Sequence, residues 1–128
     1  MPDVSNDDVT YRLLIEASPY CIHQIGRDGR LISMNPSGLR MLGLEHENDA
    51  ISCRKIDFVH ERDRDEVEAK MKRAFAGETT ACEFEAVNGA TFVTRFVPIR
   101  DANGHVVRLM GINEDVTEQR RIMRDLKA

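Results

Sequence analysis

The chain has 128 residues, 41% hydrophobic and 31% charged, with 18 Lys and Arg against 22 Asp and Glu for a formal net charge of −4. That length suits one globular core and rules out a large multidomain machine, while the acidic balance argues against nucleic acid as a partner. No apolar run approaches the roughly 18–20 residues needed to cross a bilayer, and the polar start through Asp7 and Asp8 lacks the regions of a signal peptide, so the expectation is a soluble, cytoplasmic module without membrane insertion.

Residues 1–6 are polar and read as a loose N-terminus. From Asp7, the residues Val9, Leu13, Leu14 and Ala17 recur at helical spacing until Ser18-Pro19 stops the segment. Tyr20 to Ile25 and Leu31 to Met34 flank Gly26-Arg27-Asp28-Gly29, a pattern that predicts a tight hairpin. Asn35-Pro36 then opens a helix that Gly43 ends after Leu42. Residues 45–60 are mixed and read as short helical turns around Ile51, Ile56, Phe58 and Val59. Asp63 and Glu66 have the spacing of a capping box, and Val67, Met71, Ala74 and Phe75 mark one face of the helix that follows, as far as Gly77.

From Thr80 the period becomes two, with Cys82, Phe84 and Ala86 on one side and Glu83 and Glu85 on the other. Asn88-Gly89 predicts a two-residue turn into the strand Phe92–Arg100, and Asp101-Ala102-Asn103-Gly104 turns into a fifth strand over 106–113. A final helix follows Asp115-Val116-Thr117, so the expected division is residues 7–115 for the domain and 116–128 for an outgoing helix. Asp115 can cap that helix with Glu118 at its third position, and heptads counted from Val116 place Gln119, Met123 and Leu126 on one seam. The order of elements describes an α+β fold, a five-stranded antiparallel sheet with its helices on one face.

Catalytic constellations are missing from the pattern: the sequence holds no nucleophile elbow, phosphate loop, zinc-protease helix or dinucleotide-binding turn. The acids are scattered on helix and strand surfaces, so the expected answer is not an enzyme. Cys21, Cys53 and Cys82 are odd in number and widely spaced, which suggests reduced thiols rather than a disulfide framework or a metal clip. His46 and His60 each precede an acid but lie outside helix interiors, where a phosphoacceptor would have to sit, and read as structural. His23 lies two residues after Cys21 on one strand face; without further ligands at defined spacing, a packed, hydrogen-bonded histidine is the favoured reading over a metal ligand. Met34, Met71 and Met110 sit on elements expected to face one core, where thioethers fill space or line a cavity for a small apolar guest.

In this order and spacing, several of these residues resemble a PAS domain, from about Asp7 to Lys127. They are Ala17-Ser18-Pro19, Asp28-Gly29-Arg30, Asn35-Pro36 with Gly43, Asp57-Phe58-Val59-His60 before Asp63-Arg64, Pro98-Ile99-Arg100-Asp101 with Gly104, Gly111, and the closing Asp115-Val116-Thr117. The resemblance implies strand order 2-1-5-4-3 and a sensory or dimerisation module that relays its state to an output domain, as in bacterial histidine kinases or in diguanylate cyclases and phosphodiesterases. A ligand-free structural dimerisation domain is the alternative. The family's signal-transmission residues correspond to Asp115 and Thr117.

The resemblance also bears on cofactors and partners. Light-sensing members place a flavin-reactive cysteine where Lys55 stands, with Cys53 two positions early; haem-binding members use a histidine on the long helix, which Asp63 to Ala76 does not contain, and His60 matches a structural position. Neither flavin nor haem is therefore expected. Arg95 and Arg108 read as outer-face residues rather than an anion cluster. A small apolar ligand remains, with His23, Met34, Phe58, Met71 and Met110 as its candidate lining. A homodimer is expected, with Val9, Leu13, Ala17, Met123 and Leu126 as candidate interface residues.

Overall fold

The computed structural model describes residues 4–127. In chain order it contains α1 (Val4–Ala17), β1 (Cys21–Gly26), β2 (Leu31–Met34), α2 (Pro36–Leu42), α3 (Arg64–Phe75), β3 (Thr80–Glu85), β4 (Thr91–Arg100), β5 (Val106–Asp115) and α4 (Thr117–Lys127). Short 3₁₀ turns at Glu47–Asp49, Lys55–Phe58 and Glu61–Asp63 join α2 to α3. The strands form one antiparallel sheet in the order β2-β1-β5-β4-β3, as expected. The first helix begins at Val4 rather than Asp7, so residues 4–6 of the segment expected to be loose are helical, and residues 1–3 lie outside the described residues.

All three hairpins share one design, and at Asn88-Gly89 it differs from the two-residue turn that the sequence predicts. Gly26 N–H bonds to Arg30 O, Ala86 N–H to Ala90 O and Asp101 N–H to His105 O, so each loop holds three residues inside the closing pair. Each ends on a glycine with positive φ, 82° at Gly29, 89° at Gly89 and 84° at Gly104. A turn followed by a left-handed residue matches the strand twist as a primed turn does, at the cost of one extra residue.

Asn35 ties the N-terminal half together. Its Oδ1 accepts from Ile22 N–H at 2.9 Å and caps α2 by accepting from Gly38 N–H at 3.1 Å, while its Nδ2 donates to the carbonyls of Ile15 and Tyr20. The end of α1, β1 and the start of α2 thus meet at one buried amide whose polar atoms are all used.

The capping box expected at the start of α3 is not made. Asp63 has helical backbone angles and makes no cap bond; its Oδ2 accepts instead from Glu85 N–H at 2.9 Å, at the end of β3. Helix α3 lays Val67, Met71 and Ala74 on the sheet, where they meet Ile25, Phe84, Phe92, Phe96 and Leu109 in the buried core. That face of the sheet is the inner one; the opposite face carries the exposed Arg95 and Arg108.

Candidate functional site

The inner face carries a polar row among its apolar residues. Cys21 on β1 pairs with Asn113 on β5, Asn113 with Thr94 on β4, and Thr94 with Cys82 on β3, so four polar side chains cross four strands in one register line. One pair further along, His23 on β1 lies beside Gly111 on β5, and Gly111 beside Phe96 on β4. The approach is close: a Cβ on Gly111 would stand 2.2 Å from His23 Nε2. Glycine is required there because the imidazole occupies the space of its side chain.

His23 is fully buried, and its Nδ1 lies 3.4 Å from Cys21 Sγ. Burial, helped by the nearby Lys55 charge, holds the imidazole well below its usual range, so it is neutral at pH 7. Burial pushes the Cys21 thiol up to about 11, against the opposing pull of Lys55. A protonated thiol can donate to Nδ1, and in that tautomer the imidazole proton sits on Nε2. The expectation of a packed, hydrogen-bonded histidine holds for His23.

Lys55 enters this interior from the loop before α3. Its backbone N–H donates to Gly29 O at 2.9 Å, while Leu31 N–H bonds to Cys53 O and Ser52 N–H to Leu31 O, so the segment is stitched to the β1–β2 hairpin. The side chain is 4% exposed, with Nζ 4.9 Å from the centre of the Phe84 ring. Burial lowers its pKa to about 8, a fall that Cys21 and Cys82 partly offset. Phe84 is buried two residues along β3 from Cys82, the cross-strand partner of Thr94, so the ammonium lies on the inner face at the β3 side of the polar row.

The predicted site residues divide. His23, Met34 and Met71 are buried on the inner side, and Phe58 packs partly buried against the same core. Met110 does not join them. It pairs with Gln24 and Val97 between the inward Leu109 and Gly111, so strand alternation puts it on the outer face. Lys55, Thr94 and Asn113 were not among the expected lining. For Thr94 and Asn113 the signal is present in the sequence, since each stands at period two with inward residues, Phe92 and Phe96 for one and Leu109 and Gly111 for the other. Nothing around Lys55 in the sequence announces a buried cation.

Cys53 is partly exposed, and its Sγ engages Asp49 O at 3.4 Å. Helix α3 contains no histidine to hold haem. The ring of His60 is engaged locally, its Nδ1 accepting from Arg62 N–H at 3.2 Å and its Nε2 3.9 Å from Glu85. Among the described residues, no group of three or more His, Cys, Asp and Glu side chains could hold a metal ion, and no helix is long and apolar enough to cross a membrane.

The second distinctive feature is the junction after β5. Thr117 Oγ1 accepts from Thr91 N–H at 2.8 Å, and Val116 N–H donates to Thr91 O at 2.9 Å, so the turn into α4 is bonded to the start of β4. Asp115 Oδ1 accepts from both Thr117 N–H at 3.0 Å and Thr117 Oγ1 at 2.6 Å. The expected capping box is not reciprocal, because Glu118 pairs with Arg121. Val116 is buried at the domain edge, leaving Ile122, Met123 and Leu126 as the exposed apolar side of α4. The heptad seam counted from Val116 therefore cannot include Val116 itself. On α1, Val9, Leu13 and Ala17 are all exposed.

A single antiparallel sheet in the order β2-β1-β5-β4-β3 with α3 packed over one face and an outgoing helix after the last strand defines the class of fold. The family model described as "PAS fold" matches residues 15–121, and the chain belongs to that family. Comparison with curated proteins gives no match. Among solved structures, a PAS domain from Colwellia psychrerythraea is 19% identical with a TM-score of 0.71, covering 91% of this chain and 99% of its own. A domain of a sensory box sensor histidine kinase/response regulator from Geobacter sulfurreducens is 19% identical with a TM-score of 0.70, covering 89% and 98%. The N-terminal domain of a diguanylate cyclase with PAS/PAC sensor from Marinobacter aquaeolei is 18% identical with a TM-score of 0.67, covering 79% and 98%. At these identities the likeness is one of fold.

Proposed function

We propose that this PAS domain is the cytoplasmic sensory and dimerisation module of a bacterial sensor histidine kinase, acting as a homodimer and passing the state of its interior through Asp115 and Thr117 to an output domain. The observation that carries the reading is the double bond of the junction to Thr91: Thr117 Oγ1 and Val116 N–H hold both polar groups of one β4 residue. A change in the packing of β4 against β5 cannot leave α4 unmoved, because the helix starts on bonds that belong to the sheet. A ligand that favours one packing of the inner face then biases the direction of α4 by its differential affinity for the two states.

Exposed Val9, Leu13 and Ala17 on α1 and Met123 and Leu126 on α4 support self-association, since each helix presents apolar side chains that the domain does not cover. The likeness to a sensory box histidine kinase domain supports that output, and the likeness to a cyclase domain supports the same relay ahead of a diguanylate cyclase. The test is a fusion of residues 1–128 to a histidine-kinase catalytic core in helical register, with autophosphorylation as the readout. Asp115→Ala and Thr117→Ala are each expected to uncouple kinase rate from the state of the domain. Unchanged rate and response in both variants would contradict the relay.

A further inference from the structure

Three buried side-chain atoms on the inner face, His23 Nε2, Thr94 Oγ1 and Asn113 Oδ1, have no hydrogen-bond partner among the described residues. An orphaned buried polar group costs about 1–3 kcal/mol, and a buried charge more. The three belong to one patch: Thr94 and Asn113 are direct cross-strand partners, and Asn113 lies two residues along β5 from Gly111, over which His23 packs. Such neighbours lie within roughly 8 Å of one another, the span of a small molecule. On the same inner face, beside Phe84, stands Lys55, with no salt bridge or hydrogen bond from its ammonium among the described residues; the face of Phe84 is a partial substitute for an anion.

The chemistry of the four groups specifies what would complete them. One cation beside a neutral imidazole calls for a single negative charge, which disfavours a phosphate dianion. Lys55 Nζ, the Thr94 hydroxyl and the His23 Nε2–H are three donors suited to the two oxygens of a carboxylate. Asn113 Oδ1 is an acceptor and asks the ligand for a donor. Met34 and Met71, flexible thioethers in the same core, can yield to a molecule of a few heavy atoms. His23 and Met34 also border a groove of about 290 Å³ beside α1, which Lys55, Thr94 and Asn113 do not line.

We infer that the inner face binds a small hydroxy monocarboxylate, its carboxylate held by Lys55, Thr94 and His23 and its hydroxyl donating to Asn113. This names a ligand class for the sensory reading above and rests on that reading for its use, but binding is measured on the chain alone. A failure here leaves the kinase-fusion test standing, and the converse holds too.

The experiment titrates the chain with glycolate, lactate, acetate, glycolamide and phosphate, reading heat and the backbone amide resonances of Thr94, Gly111 and Asn113. Saturable binding of glycolate or lactate is expected, with acetate weaker for want of the hydroxyl and the neutral glycolamide weaker by about tenfold or more. Lys55→Met is expected to lose about tenfold or more of the affinity and Thr94→Val a smaller factor, each with a cooperative melting curve that reports folding. The inference is overturned if neither hydroxy acid saturates, if glycolamide or phosphate binds as well as glycolate, or if folded Lys55→Met binds unchanged.

Discussion

The two notable regions of the molecule treat polar groups in opposite ways. At the junction, the hydroxyl and N–H of Thr117, the N–H of Val116 and both backbone groups of Thr91 find partners among one another and on Asp115. On the inner face, three buried polar atoms have none among the described residues, and Lys55 is buried with its ammonium against the Phe84 ring. A satisfied network is rigid and specifies one arrangement; an unsatisfied one stores a cost that a bound molecule can remove. The first suits transmission and the second suits sensing.

The largest expected effect breaks the inner face. Gly111→Ala forces a Cβ to 2.2 Å from His23 Nε2, and a loss of about 3 kcal/mol in urea unfolding is expected from the clash of that Cβ with the packed imidazole ring. Unchanged stability would mean that His23 does not pack over β5.

Lys55→Met acts in the other direction, with a gain of about 1–3 kcal/mol at pH 7 from removing the uncompensated buried ammonium. It also alters the pH profile. Lys55 titrates at about 8 in the folded chain against 10.5 ordinarily, so between those values the unfolded chain holds a proton that the folded chain has released, and stability rises with pH. Cys21 and Cys82 do the reverse, keeping protons to about 11 against 9, so above pH 9 stability falls. The wild type is expected to be most stable near pH 9, and Lys55→Met to lack the rise between pH 8 and 9 in denaturant midpoints.

At the junction, Thr117→Ala removes the partner of Thr91 N–H and the link to Asp115. A loss of about 1–2 kcal/mol is expected, seen as faster amide exchange at Thr91 and in the first turn of α4 while β1 is unaffected. The smallest effect falls on the exposed Arg120–Glu83 pair at 2.8 Å; Glu83→Gln is expected to change stability by no more than about 0.5 kcal/mol.

The fold was legible because its signals are local. Val67, Met71 and Ala74 keep helical spacing, Cys82 and Phe84 alternate with glutamates, and glycines stand at the turns. Where local chemistry allowed two answers, the tertiary partner decided: Asp63 has the spacing of a helix cap, but the unpaired Glu85 N–H at the end of β3 takes its carboxylate. Met110 looked like lining by composition, yet the parity of β5, set by Leu109 and Gly111, turns it outward. The polar row was harder to see, since Cys21, Asn113, Thr94 and Cys82 lie on four strands and come into line only through register. Lys55 was opaque because its burial depends on loop bonds to Gly29 and Leu31, far back in the sequence.

The most direct test of the account follows hydrogen exchange in both regions of one sample, the chain with and without saturating glycolate. The expected result is slower exchange at Thr94, Gly111 and Asn113 together with a change at Thr91 and at the Arg120 amide, which bonds to Val116 O at 2.9 Å. Protection confined to the inner face, with the junction and α4 unmoved, would contradict the claim that the interior and the outgoing helix are coupled.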